Sequence, residues 1–321
     1  MEPQPRPKVF DAYWRFAAER QAIFFQRLAG EPPPWTADPI LRAYAFCNAY
    51  RASDRVSQYL IREVIYQPGF SPEDTLVRIV LFRLFSKIET WRLLEAAHGP
   101  IRAKCFDPAA FDATLEAALG RGEAIYTNAF ILPGGADERR KHRAHLELVA
   151  AMLHDGLAGK LARARSLEAV YRELRAYPLI GSFLAYQIAL DLNYSELLDF
   201  GENDFTAPGP GAIRGIRKCF VSTGSLSPAE VVHWMVERQA QEFARLGLRF
   251  QSLWGRPLHA SDCQNLFCEV DKYARVAFPR LRSDRTRIKT KFAPIGPLPE
   301  PFYPPKWGIN EAIAAGRAAC A

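Results

Sequence analysis

The 321-residue chain is 49% apolar and 24% charged, a globular composition that excludes wholesale disorder. No apolar run approaches the roughly 20 residues of a membrane-spanning helix, and the charged, proline-rich opening Met1-Glu2-Pro3-Gln4-Pro5-Arg6 lacks the core of a secretory signal, so the sequence reads as cytosolic. Forty-two Lys and Arg against 35 Asp and Glu leave +7, a balance common among nucleic-acid binders but not confined to them.

Helical periodicity predominates. Apolar residues recur at three- and four-residue spacing from Phe10 to Leu28, and Glu31-Pro32-Pro33-Pro34-Trp35 ends that helix. A second helical region begins at Asp38-Pro39, with Asp38 as N-cap, and carries Ile40, Leu41, Tyr44, Phe46 and Tyr50, then Val56 to Ile61. Ser71-Pro72-Glu73-Asp74 starts a third helix whose run Leu76–Leu94 predicts a core position. A short helix follows Asp107-Pro108 and closes at Gly120-Arg121-Gly122; Ala124–Leu132 has strand-like composition and ends in a Pro133-Gly134-Gly135 turn. Further helices are predicted over 138–155, 166–176, 182–193, 228–246 and 261–276, before proline-rich coil from Pro294 to Lys306. With no βαβ alternation and no repeat, the class is mainly α. The expected organisation is one composite helical domain over 1–293, including a hairpin and candidate catalytic segment at 166–220 and a helix with a basic stretch at 261–291, then a proline-rich tail, 294–321. The six cysteines (Cys47, Cys105, Cys219, Cys263, Cys268, Cys320) form no Cys-x-x-Cys pair, which argues for buried reduced thiols rather than a zinc ribbon or disulfides.

Tyr177-Pro178-Leu179-Ile180-Gly181 joins two predicted helices and leaves free N–H groups at the start of the second, a geometry that suits a phosphate but is often only a turn. With the following helix, Glu202-Asn203-Asp204-Phe205 and Pro208-Gly209-Pro210-Gly211, it resembles the helix-hairpin-helix DNA glycosylases. Pro178, Ile180 and Gly181 match that hairpin, Leu179 replaces its first glycine, Ala185 matches a small packing position, and Asp204 lies near the catalytic acid. Phe183 stands where bifunctional members carry a Schiff-base lysine, so the resemblance implies base release by water without strand cleavage.

A wider resemblance rests on Pro34-Trp35-Thr36-Ala37-Asp38-Pro39-Ile40-Leu41, Phe46-Cys47-Asn48-Ala49-Tyr50-Arg51, Asp54-Arg55, Leu81–Trp91, Asp191-Leu192-Asn193-Tyr194-Ser195, Gly209-Pro210-Gly211-Ala212 and Asp262–Tyr273. These strings look like the helical domain associated with 5-hydroxymethyldeoxyuridine (5-hmdU) DNA kinases, shared with the α-glutamyl/putrescinyl thymine pyrophosphorylase group. No segment fits the P-loop pattern G-x-x-x-x-G-K-[ST]; Gly209–Gly215 has the wrong spacing, so the chain reads as not itself a kinase.

Chemistry on a base in duplex DNA requires flipping it into a pocket of aromatic faces and edge-reading amides or carboxylates. The strings offer Trp91, Tyr194, Phe205 and Tyr273 for stacking and Asn48, Gln187, Asn193, Gln264 and Asn265 for edges, each with core packing as the competing reading. Asp204 is the first candidate for the carboxylate that stabilises an oxocarbenium-like sugar or activates water, with a turn cap as its alternative. Asp191 and Glu269 are further catalytic candidates that could instead be ion-paired to Arg55, Arg83 or Lys272. Expected backbone contacts are Pro178, Ile180, Gly181 and Ser182 in the hairpin and Lys272, Arg275, Arg282, Arg285 and Arg287 in the basic stretch; Arg139–Arg143 is a second basic cluster. His142, His145 and His154 lack zincin spacing, and neither metal nor cofactor is expected.

The composite expectation is a two-lobed helical, helix-hairpin-helix glycosylase-like protein with a cleft between its lobes. It would bind DNA containing modified pyrimidines and release the base as a monofunctional glycosylase. Two alternatives stand beside it: a transferase that replaces an activated 5-methyl pyrophosphate of thymine with an amine, and a non-catalytic reader of modified DNA.

Overall fold

The computed structural model describes residues 2–127, 141–281, 283, 285–293 and 296–318. Asn128–Leu132 of the strand-like segment, the Pro133-Gly134-Gly135 turn, Arg139, Arg140 and Arg282 lie outside the described residues. The fold is mainly α, and the chain forms two compact units, Met1–Asp54 with Phe205–Ala321, and Arg55–Asp204.

In chain order the helices are α1 (Pro7–Leu28), α2 (Pro39–Ala43), α3 (Arg55–Tyr59), α4 (Pro72–Phe85), α5 (Ile88–His98), α6 (Pro108–Gly120) and α7 (Lys141–His154). They continue with α8 (Leu157–Ala162), α9 (Leu167–Arg175), α10 (Ser182–Tyr194), α11 (Pro210–Cys219), α12 (Pro228–Arg245), α13 (Ala260–Ala277) and α14 (Asn310–Ala318). Two short strands, β1 (Gln4–Pro5) and β2 (Phe220–Ser222), pair antiparallel. No described helix is long and apolar enough to cross a membrane.

In the unit Arg55–Asp204, α4 is the core helix. Ser71 and Asp74 close a capping box around Pro72, and Leu76, Val77, Ile79, Val80, Leu81, Phe82, Leu84 and Phe85 are all buried. Each such side chain contributes about 1.5–3 kcal/mol of burial free energy. The helix packs against α5, α7, α8 and α10. Its Arg83 meets Asp191 of α10 in a buried two-point pair, which satisfies one of the two buried arginines of the helix.

In the other unit α13 is central, against α1, α11 and α12. Gly211 and Gly215 stand one turn apart on α11 and let the two helices approach closely. A Cβ on Gly215 would lie 2.0 Å from the Phe267 carbonyl oxygen, and one on Gly211 2.5 Å from Cys268 Sγ. Tyr13, Trp14, Phe243 and Phe267 fill the interior with edge-on and tilted ring contacts.

The helical region predicted after Asp38 is corrected by tertiary pairing. Helix α2 stops at Ala43, Tyr44 is extended, and regular helix resumes only at Arg55. The reason is an external partner: Ala45 N–H donates to Thr290 O (2.9 Å) and Phe292 N–H to Ala43 O (3.0 Å), so this backbone is satisfied without helical bonds. Within 294–321, Tyr303 is fully buried, its hydroxyl 2.8 Å from Ser53 Oγ, and α14 buries Ile313. The described part of Ala124–Leu132 is coil, with Ile125 O accepting from Thr90 and Thr127 N–H donating to Phe85 O.

Candidate functional site

Between Asp38 and Arg51 only Pro39–Ala43 is α-helical, and one face of α13 supplies hydrogen-bond partners along the segment. Asp262 Oδ1 accepts from Arg51 N–H (2.9 Å), Asn265 Nδ2 donates to Asn48 O (3.3 Å), and Glu269 Oε2 accepts from Cys47 N–H (2.9 Å). Tyr273 Oη donates to Asp38 Oδ2 (2.6 Å), whose other oxygen caps α2. Positions 262, 265, 269 and 273 follow spacings of three and four, one stripe of a helix, so regular geometry alone aims four polar groups at one loop.

Charge concentrates around Glu269. Its carboxylate is buried and binds Lys272 Nζ at 2.7 Å and Lys289 Nζ at 2.8 Å. Burial opposes ionisation of Glu269, but the two ammonium groups and their hydrogen bonds outweigh it and pull the carboxyl down to about 2. Burial likewise opposes charge on Lys272 and Lys289, and attraction to Glu269 and its surroundings raises both.

Beside this pair, Asp54 Oδ1 accepts from Asn48 N–H (2.8 Å), and Asn48 Oδ1 accepts from Arg20 (2.9 Å). Arg20 also donates to Cys47 O and Phe46 O. Asp54 is half-buried and pushed up to about 6, chiefly by burial and also by the charge of Glu269, against the Asn48 hydrogen bond, Lys289 and Arg20. A carboxyl titrating there can exchange a proton near neutrality. Cys47 lies within the same loop, and burial with two nearby carboxylates pushes its thiol up, so it is a neutral packing group rather than a nucleophile.

A second cluster faces α11. Asp271 is fully buried and meets Lys218 Nζ (2.9 Å), Arg214 Nε (3.2 Å) and Arg275 (2.5 Å). Burial resists its ionisation, yet Lys218 and Arg275 lower its pKa, and three cations share one carboxylate. Arg275 also donates to Arg287 O, so it anchors the chain beyond α13 while the Arg285, Arg287 and Lys291 side chains are exposed.

The structure therefore brings together Asn48, Asn265, Glu269, Lys272 and Tyr273. The Tyr273 ring packs edge-on against Phe16 and Phe46, leaving its hydroxyl for Asp38. Gln264 is buried and accepts from Thr206 (2.9 Å), next to the half-buried Phe205. The remaining candidates belong to the other unit. Trp91 and Tyr194 are buried in its core, Asp191 is held by Arg83, and Asn193 clasps the backbone of Phe200 through both amide atoms at 2.9 Å. Gln187 is half-buried on α10. Asp204 is exposed, with its carboxylate folded over Gly201. In the hairpin, Pro178, Gly181 and Ser182 are exposed, Ile180 is buried, and Leu179 takes φ +65°, the left-handed conformation that a glycine adopts without strain.

Sequence reasoning did not single out Arg20, Asp54 or Lys289 as site residues. The Glu269-x-x-Lys272 spacing was readable, and Asp54 stood in a quoted string, but Arg20 is one arginine on an amphipathic helix and nothing local marks it.

Comparison with known proteins bears on these groups. The family described as 5-hmdU DNA kinase, helical domain, matches residues 7–283, which include every residue of the two clusters except Lys289. A 5-hmdU DNA kinase of Bacillus phage SP10 is 28% identical over 295 residues, covering 85% of this chain and 46% of that protein. The chain thus spans about half the length of this curated relative. No solved structure is significantly similar to it. Two expectations are corrected by these matches. Base release by a monofunctional glycosylase gives way, because the named relative is a kinase, and so does the exclusion of kinase chemistry drawn from the missing P-loop. The amine transferase and the non-catalytic reader gain no support either.

Proposed function

Because the chain belongs to the 5-hmdU DNA kinase helical-domain family, we propose that it serves phosphoryl transfer onto the 5-hydroxymethyl group of a pyrimidine in DNA. The observation that carries this reading is the match to the phage kinase across 85% of the chain. Its chemistry suits the cluster around Glu269. When a hydroxyl attacks the terminal phosphorus of ATP, the bond from that phosphorus to the bridging oxygen breaks and ADP leaves; a carboxylate that takes the hydroxyl proton and fixed cations near the charge on the phosphate oxygens assist the step. Asp54, with its pKa near 6, is the proposed proton acceptor; Arg20, Lys272 and Lys289 are the proposed cations, held in place by Glu269 and Asn48. Exposed Arg285, Arg287 and Lys291 are the proposed contacts to the DNA backbone. The 321 residues contain no G-x-x-x-x-G-K-[ST] cradle.

The test has two arms. The chain is incubated with ATP and duplexes carrying 5-hmdU or thymidine, and the digested nucleosides are weighed; in parallel, binding of the same duplexes is followed by fluorescence anisotropy. Phosphorylated 5-hmdU, or binding that favours the 5-hmdU duplex severalfold and is weakened by Lys289→Gln, supports the reading. Equal binding of both duplexes without any phosphorylated product defeats it.

A further inference from the structure

In the unit Arg55–Asp204, helices α6 and α7 hold three potential ligand atoms together. Asp112 and Glu116 are one turn apart on α6, and His142 lies in the first turn of α7. His142 Nε2 is 2.9 Å from Asp112 Oδ1 and 3.1 Å from Glu116 Oε1, and the three ligand atoms lie within 4.8 Å of one another.

An ordinary ion pair does not account for this arrangement. The His142 side chain is 2% exposed, and neither its Nε2 nor Asp112 Oδ1, both shielded from water, makes a directed hydrogen bond. One ring N–H can point at only one oxygen; here the nitrogen faces two and serves neither. A buried imidazole nitrogen and a buried carboxylate oxygen left so are unfavourable. The spacing instead suits a shared cation: ligands about 2.1 Å from a six-coordinate ion stand about 3.0 Å apart at right angles.

We propose that Asp112, Glu116 and His142 bind a divalent transition-metal ion of the zinc or manganese class. One imidazole and two carboxylates are a ligand set for such ions, and His142 would bind through Nε2 in its neutral form. Arg143 supports the site from outside, donating to Asp112 Oδ2 (3.0 Å from Nε) and turning the other carboxylate oxygen inward. Glu116, whose side chain is 49% exposed, opens the site to solvent, leaving positions for water. The ion would clasp α6 to α7. The histidine spacing along the sequence hides this site, because its ligands come from two helices.

The experiment uses the full chain, stripped with a chelator and titrated with Co²⁺ as a spectroscopic substitute, then competed with Zn²⁺ and Mn²⁺. The expected result is one equivalent bound, with weak d–d absorption and no thiolate charge-transfer band. His142→Ala should abolish that uptake and Glu116→Ala weaken it at least tenfold. Added metal should raise the Tm of the parent protein but not of Glu116→Ala, a half-exposed helix position whose replacement leaves the fold intact. Absent uptake, uptake unchanged in Glu116→Ala, or a thiolate band showing the ion on cysteine would each overturn the proposal.

Discussion

The Glu269 carboxylate and the Cys47 backbone N–H meet at 2.9 Å although 222 positions separate them in the chain. That contact fastens an extended loop of the N-terminal segment to the centre of α13, and the same carboxylate gathers Lys272 and Lys289. Glu269→Gln keeps the size of the side chain but leaves two largely buried ammonium groups without their counter-charge. It should cost on the order of 3 kcal/mol, read as a lowered urea midpoint with unchanged slope.

Asp54 makes stability depend on pH. Its folded pKa of about 6 lies above its ordinary value, so the stability it contributes is complete below about pH 4 and lost as pH rises through 6. Glu269 acts oppositely: its contribution is present above its ordinary range and is lost only as pH falls towards 2. Asp54→Asn should therefore match the parent protein near pH 4 and exceed it near pH 7.5 by up to about 3 kcal/mol. Denaturation series at the two pH values check this; an unchanged difference would remove Asp54 as the titrating group.

Gly215→Ala drives a methyl group against the Phe267 carbonyl, a backbone atom that cannot rotate aside. It should destabilise by about 3 kcal/mol or more. Gly211→Ala meets the movable Cys268 side chain and should cost less. Thermal unfolding of the two variants ranks them directly.

The Arg83–Asp191 pair is open to a double-mutant cycle. Arg83→Met or Asp191→Leu alone removes one member of a buried ion pair and should cost about 3–5 kcal/mol, while the double variant should recover most of that loss. Additive losses measured by urea unfolding would mean that packing, not charge pairing, dominates there.

If Arg285, Arg287 and Lys291 meet DNA phosphates, each replacement by Gln should flatten the plot of log affinity against log salt by about 0.9. The weakening should be similar for 5-hmdU and thymidine duplexes, since phosphate contacts carry no base information. Anisotropy titrations at several salt concentrations measure both effects.

Several elements were legible without coordinates because their causes are local. Ser71-Pro72-Glu73-Asp74 carries its own cap, first-turn proline and acids, and α4 starts where that chemistry places it. The pairing of Asp191 was readable as a choice among a few arginines and lysines, because a carboxylate in an apolar run needs a counter-charge. Tyr44–Tyr50 was not legible as a loop: its apolar spacing mimics a helix, and only the distant stretch around Thr290 displaces those bonds.

The amino-acid sequence by itself determined the mainly α class, the basic balance of +7 and the family strings, since periodicity, capping and composition act over a few turns of chain. Only the tertiary structure decided that Asp38, Cys47, Asn48 and Arg51 converge on one stripe of α13. It also decided which cations serve Glu269 and which Asp271, and that Asp54 is held near a neutral pKa. Burial and the distance between charges set those properties, and both belong to the packed chain rather than to any short segment of it.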